Sequence, residues 1–301
     1  MAIAESVGLA APTNRTRGGY AARVAILDDV AQLAHLGLVL KLREATLEPV
    51  LAAASKLADA KLLVGASAHG RRLEVVMPYH PDALAVVAPD AAAPATATLM
   101  RIVVDGETMS VALATAGGNK QPRVAVDELA PAAQRDAWFD LVDQLCSIAD
   151  ARIVGLTRFV DGSRVAIEIQ YPQRDRATDF VLMEGIEQLA GDIGVSGAQC
   201  KLWRRIHPEL GAGNGISLST SCTPARVSAH FGITYPVTSW EVALRLAEGL
   251  VLNDSEAKAV PTNLGQLAGA LGSDRLQSLE LVLGPHEPPD VIVWARVGRA
   301  G

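Results

Sequence analysis

The chain is poor in aromatic side chains: four Trp, four Tyr and four Phe make up only 4 % of its 301 residues. Half of the residues are nevertheless hydrophobic and the mean hydropathy is +0.23, so Ala, Val, Leu and Ile carry nearly all of the burial. That excludes a disordered chain, which could not bury enough apolar surface to offset its ordering entropy. Cysteine is also scarce. Cys146, Cys200 and Cys222 are odd in number and far apart, so they make neither a disulfide framework nor the paired spacing of a zinc site. A reducing, cytoplasmic location fits this usage. Positive charge is short as well: a net charge of −6 and a pI near 5.6 offer no general attraction for nucleic acid, and none is expected as a partner. Long apolar runs are missing. The stretch from Val24 to Leu40 is interrupted by Asp28 and Asp29, which argues against a membrane span. Met1 to Thr13 has no basic start and carries Glu5, so it does not read as a secretory signal. Residues 1–19, dominated by Gly, Pro, Ser, Thr and Asn, read as a flexible arm ahead of a single domain over residues 20–301.

What the sequence does contain is a repeat. Ala58-Asp59-Ala60-Lys61 leads into Leu62-Leu63-Val64-Gly65, a break at His69-Gly70, and Arg71-Arg72-Leu73-Glu74-Val75-Val76-Met77-Pro78-Tyr79. The same order returns from Ala149-Asp150-Ala151-Arg152 through Ile153-Val154-Gly155-Leu156 and a turn at Asp161-Gly162 to Ser163 through Pro172. Asp-Gly between alternating runs signals a type I′ hairpin, and Asp105-Gly106 repeats it between Met100 to Val104 and Thr108 to Thr115. Two more hairpins are expected, from Gln199 to His207 with Ile216 to Cys222 across Gly211, Gly213 and Gly215, and from Leu276 to Leu283 with Val291 to Val297. Between them, apolar residues three and four apart predict helices. One stripe is Leu47, Val50, Leu51, Ala54 and Leu57; another, after Pro131, is Trp138, Leu141, Val142, Leu145 and Ile148. Leu182, Ile186, Leu189 and Ile193 form a third, and a fourth follows a capping box at Thr238 and Glu241.

A chain that returns through an external helix after each hairpin builds an antiparallel sheet with its helices on one face. Ten such strands should curl and close, because closure removes unpaired edges. The expected fold is α/β in the α+β sense: a closed ten-stranded antiparallel β-barrel with a polar lumen, surrounded by helices. Period-2 phase assigns the faces. Val165, Ile167, Ile169 and Tyr171 should meet the helices, and Arg164, Ala166, Glu168 and Gln170 the lumen. Leu73, Val75 and Met77 likewise oppose Arg72, Glu74 and Val76, while Ser217, Ser219 and Ser221 alternate with Ile216, Leu218 and Thr220.

This architecture resembles the ABBA-type aromatic prenyltransferases, named for their α-β-β-α order. The resemblance runs from Leu47 to Val297 and is supported by Arg72-Leu73-Glu74-Val75, Val104-Asp105-Gly106-Glu107 and Cys200-Lys201-Leu202-Trp203-Arg204-Arg205. It implies a transferase of secondary metabolism that moves an isoprenoid group from dimethylallyl or geranyl diphosphate to an aromatic small molecule, as a monomer. Such chemistry needs cations against the departing diphosphate, an apolar wall around the allylic cation, and a base for the ring proton. The cation candidates are Arg72, Arg164, Lys201, Arg205 and Arg296. Glu74 is the acidic residue that would hold magnesium, the one cofactor the resemblance admits, or act in catalysis; Glu168 or Glu280 would otherwise be the base. Trp203, Trp294, Ser217, Ser219 and Glu280 are the candidates for contact with substrate.

Plainer readings stand beside these. Arg72 and Glu74, and Arg164 and Glu168, can simply be ion pairs inside the barrel, and one bulge would invert the phase. The strand after Asp105-Gly106 reads Ser110-Val111-Ala112-Leu113-Ala114-Thr115, without the lysine and tyrosine that the family supplies there. Few aromatics are left to shelter a cation. The alternative is a non-catalytic barrel that binds a small molecule and has lost the diphosphate grip. Gly117-Gly118-Asn119-Lys120 lacks phosphate-loop spacing, and the six histidines never reach a paired ligand spacing.

Overall fold

Period-2 burial defines the wall of this computed structural model, which describes residues 30–57, 62–69, 72–93, 96–116, 135–147, 152–162, 164–171, 176–192, 194–210, 216–223, 226–236, 239–250, 254–272, 276–284 and 289–297. The expected N-terminal arm, residues 1–19, lies outside them, as does the segment Gly117 to Lys120. Ten strands alternate pairwise with helices: β1 (Leu62–Ser67), β2 (Arg72–Pro78), β3 (Leu99–Asp105), β4 (Thr108–Ala116), β5 (Arg152–Phe159), β6 (Val165–Tyr171), β7 (Ile216–Thr223), β8 (Arg226–Tyr235), β9 (Leu276–Leu283) and β10 (Asp290–Val297). Each pairs antiparallel with its sequence neighbours, and β1 pairs with both β2 and β10, so the ladder closes into a barrel. The helices are α1 (residues 30–39), α2 (Glu44–Ala54), α3 (Pro81–Val87), α4 (Arg135–Ser147), α5 (Arg176–Asp192), α6 (Gly197–Leu210), α7 (Trp240–Gly249) and α8 (Asp254–Leu271). Among the described residues no helix is long and apolar enough to cross a membrane.

Every hairpin was expected in its place except the fourth. The segment Gln199 to His207, read from sequence as a strand, lies in helix α6, and the hairpin is made instead by β7 and β8. Cys200, Trp203, His207 and Leu210 are spaced three and four apart and are all buried on one face, while Ser196 Oγ accepts from Gln199 N at 3.3 Å and caps the start. The alternation of Lys201, Trp203 and Arg205 imitates a strand only because residues two apart are compared. The Asp105-Gly106 turn also differs from type I′. Asp105 pairs with Thr108, so Gly106 and Glu107 are the central residues, and only Gly106 has positive φ (58°), the type II′ pattern. At α7 the cap is Ser239, whose Oγ accepts from Val242 N; Thr238, expected from sequence in that place, lies outside the described residues.

The core lies between barrel and helices, and it takes most of the described aromatics. Trp203, Tyr171, Tyr235 and Phe231 are the largest fully buried side chains. A polar chain crosses this layer: Trp203 Nε1 donates to Tyr235 OH at 2.7 Å, His207 Nδ1 lies 3.1 Å from the same hydroxyl, and His207 Nε2 lies 3.2 Å from both Asp179 oxygens. One arrangement of protons satisfies all four groups, with Tyr235 donating to a neutral His207 that donates to Asp179. The network fastens α5 and α6 to β8, so these rings hold the helical coat in place and do not face the lumen.

Candidate functional site

The lumen-facing phase brings a group of charged side chains together on neighbouring strands. Glu74 of β2 is fully buried. Its Oε1 accepts from Arg72 Nε and Nη2, each at 2.7 Å; its Oε2 accepts from Arg101 Nε at 2.6 Å and also from Arg101 Nη2. Arg72 reaches it along the same strand. Arg101 reaches it diagonally, because β3 pairs Val103 opposite Glu74 and Arg101 opposite Val76. Two guanidinium forks thus grip one carboxylate. Arg101 Nη1 keeps its donors free of hydrogen-bond partners among the described residues, and Arg101 lines the cavity.

Trp294 of β10 leans over β1. Its Nε1 donates to Glu280 Oε2 at 2.9 Å, and the Arg101 guanidinium carbon sits over the ring, 5.5 Å from the centroid. Gly65 is its cross-strand partner; a Cβ there would come within 3.0 Å of the indole and of Ile292. The lumen is therefore not uniformly polar. Val282, Ile292 and Trp294 form an apolar cluster within it, flanked by Leu63 and Val76.

Between these groups is a cavity of about 270 Å³, lined on one side by Arg101, Trp294 and Glu280 and on the other by Glu168 and Thr157. Glu168 stands opposite Gly155, where a Cβ would lie 3.1 Å from its Oε2. Glycine there makes room for the carboxyl. Among the described residues Glu168 has no hydrogen-bond partner, whereas Glu74 has four donors.

This difference separates the three carboxyls. Burial pushes Glu74 up, but Arg101 and Arg72 outweigh it and hold the group below the ordinary carboxylate range. Glu168 keeps contact with solvent, yet the surrounding wall still pushes it up by desolvation, and Arg101 only partly offsets that. Glu280 is also raised, by burial and by the nearby Glu74 charge, against the pull of Arg101 and Arg72. Both guanidiniums stay charged, since their carboxylate neighbours outweigh the burial that would lower them. Glu74 is then the carboxyl that keeps its negative charge to the lowest pH, and Glu168 and Glu280 are the two that keep a proton to higher pH than an ordinary carboxyl.

Of the residues singled out from sequence, Glu74, Glu168, Glu280, Trp294 and Arg72 share the lumen. Arg296 is on the same phase as Trp294, opposite Leu63, and is exposed near the strand end. Arg164 does not line the cavity: it stacks on Phe159 with 4.4 Å between its guanidinium carbon and the ring centroid. Lys201 and Arg205 are exposed on the outside of α6, where Arg205 Nη2 meets the Gly249 carbonyl at 3.5 Å. Trp203 is buried between helix and barrel. These three are corrections with one cause, the helical spacing of α6. Register puts Ser217 opposite Gln170 and Ser219 opposite Glu168. Sequence reasoning missed Arg101, although its spacing from Val103 and Asp105 carries the lumen phase. Magnesium at Glu74 does not fit either, because both oxygens already receive guanidinium donors; among the described residues no three His, Cys, Asp or Glu side chains cluster as ligands.

No protein-family model and no curated protein matches the chain. Solved structures do, and these neighbours are ABBA-type aromatic prenyltransferases. AnaPT from Neosartorya fischeri superposes with a TM-score of 0.71 at 9 % identity over 99 % of this chain and 97 % of its own. The 5-dimethylallyl tryptophan synthase from Streptomyces coelicolor, solved with DMASPP and Trp, gives 0.61 at 14 % over 90 % and 93 %. The prenyltransferase PriB, solved with L-tryptophan and dimethylallyl thiolodiphosphate, gives 0.56 at 14 % over 89 % and 95 %. At these identities the likeness is one of fold.

Proposed function

We propose that this chain is an aromatic prenyltransferase that uses an allylic diphosphate. The observation that carries this reading is Arg101: a charged guanidinium, oriented by Glu74, whose remaining donors are free among the described residues to meet an anion in a lumen cavity, partly open to solvent, that is also lined by Glu168, a carboxyl with no hydrogen-bond partner among those residues. The allylic carbon–oxygen bond breaks and its electron pair leaves with the diphosphate, whose charge Arg101 stabilises, with Arg296 nearer the strand ends. A ring carbon of the acceptor bonds to the allylic carbon, and the ring proton passes to Glu168. Leu63 and Val76, half-buried in the lining, give the allylic carbon its apolar flank. Aliphatic walls replace the aromatic ones expected, because Arg101 already covers the Trp294 ring.

Mass spectrometry of reactions with dimethylallyl diphosphate and a panel of indoles and phenols tests this reading. Prenylated product is expected, and its absence with folded protein would overturn it. The second reading, a binding barrel without catalysis, is favoured by one observation: Glu74 neutralises much of the charge of Arg72 and Arg101. The same experiment decides between them.

Two further results are expected. Glu168 accepts a proton only when ionised, so kcat/KM should rise with pH through its raised value; Glu168→Gln should remove that rise and lower the plateau by about 10²-fold. A pH profile unchanged in the variant would return Glu168 to a bystander. Lys201→Ala and Arg205→Ala, both outside the barrel, should leave the affinity for dimethylallyl diphosphate within twofold of wild type, measured by calorimetry. A large loss in either would place α6 at the site after all.

A further inference from the structure

We infer that Trp294, seated on Gly65, sets the length of the isoprenoid chain that the lumen accepts and holds it to the five-carbon dimethylallyl class. This rests on the prenyl-transfer reading above. The indole cannot easily turn aside. Its N–H is held by Glu280, the Arg101 guanidinium sits over its ring, and Val282 and Ile292 pack beside it. It also has no room to sink toward β1, since the ring already approaches the Gly65 backbone so closely that even a methyl group there would lie at 3.0 Å.

The space left is small. A cavity of about 270 Å³ is at the lower edge of the roughly 300–1,000 Å³ of ordinary ligand sites. With the diphosphate at Arg101, a five-carbon chain takes up much of what remains beside Trp294, and a second isoprene unit presses on the wall. Ala114, Thr157, Thr234 and Ser278 are already small and have little to yield. Trp294 is the largest side chain in the lining, so the length limit falls on it. Gly65 is the second determinant: any side chain there would push the indole toward the cavity and shorten the limit further.

The test titrates the unreactive dimethylallyl and geranyl S-thiolodiphosphates into wild type, Trp294→Leu, Trp294→Phe and Gly65→Ala by calorimetry, with a melting curve for each protein. Wild type should bind the five-carbon analogue about tenfold or more tightly than the ten-carbon one, the range that a crowded apolar pocket gives. Trp294→Leu should erase or invert that preference, Trp294→Phe should weaken it, and Gly65→Ala should sharpen it. Trp294→Phe and Gly65→Ala keep the inference open to contradiction if Trp294→Leu does not fold. Equal binding of both analogues by wild type, or an unchanged ratio in the folded variants, would overturn the inference and leave the prenyl-transfer reading standing. Binding of neither analogue by folded wild type would overturn that reading, and the length limit with it.

Discussion

Arg101→Gln is expected to lower turnover by about 10²–10³-fold, the loss seen when one preorganised donor to a developing anion is removed. Charge on the departing oxygen grows as the carbon–oxygen bond breaks, so the loss should appear in kcat as well as in kcat/KM, as for an interaction that strengthens in the transition state. Arg101→Lys would keep the charge but lose the fork that lets Nε and Nη2 hold Glu74 while Nη1 stays free among the described residues. It should therefore recover only part of the rate. Steady-state kinetics on both variants, with a melting curve to show that each folds, makes the measurement. If the glutamine variant lost stability but no activity, Arg101 would be a structural ion-pair member only.

The second large effect concerns Glu74. Glu74→Gln leaves two partly buried guanidiniums facing one neutral amide; breaking a fully buried pair costs about 3–5 kcal/mol, which is an upper bound for this one. The pH dependence follows from the direction of the shift. Glu74 titrates below its ordinary value of 4.5 in the folded protein, so its stabilisation is complete above that value and is lost as the pH falls through the lowered one. Glu168 and Glu280 act oppositely: their raised values favour the folded state at lower pH, and that advantage fades as pH rises through them. The gap in melting temperature between wild type and Glu74→Gln should be widest near neutrality and narrow in acid. A gap independent of pH would mean that Glu74 is not the anion the two arginines require.

The repeat was legible because period-2 alternation and Gly-containing turns recur at each hairpin, and both depend on neighbours along the chain. Leu73, Val75 and Met77 against Arg72 and Glu74 gave the lumen face of β2, and Glu168 emerged in the same way from β6. The fourth hairpin was misread because Lys201, Trp203 and Arg205 alternate like a strand, while the longer spacing of Cys200, Trp203, His207 and Leu210 is helical. Partnership across strands is not a local property. Arg101 and Glu74 are 27 residues apart, and only the β2–β3 register brings them together. The fit of Trp294 over Gly65 is similarly a matter of β1–β10 register, more than two hundred residues apart in sequence. The shortage of aromatics has a structural sense. The rings of Trp203, Tyr171, Tyr235 and Phe231 are used in the layer between helices and barrel, and among the described residues Trp294 is the one aromatic that lines the cavity.

The central claim is that a diphosphate is held inside the barrel by Arg101. A crystal structure with dimethylallyl S-thiolodiphosphate tests it most directly. The expected result is a diphosphate in the lumen with a phosphate oxygen within hydrogen-bond distance of the Arg101 guanidinium and its chain against Leu63 and Val76. A diphosphate bound on the outer surface, or a lumen that stays free of it at saturating ligand, would contradict the account.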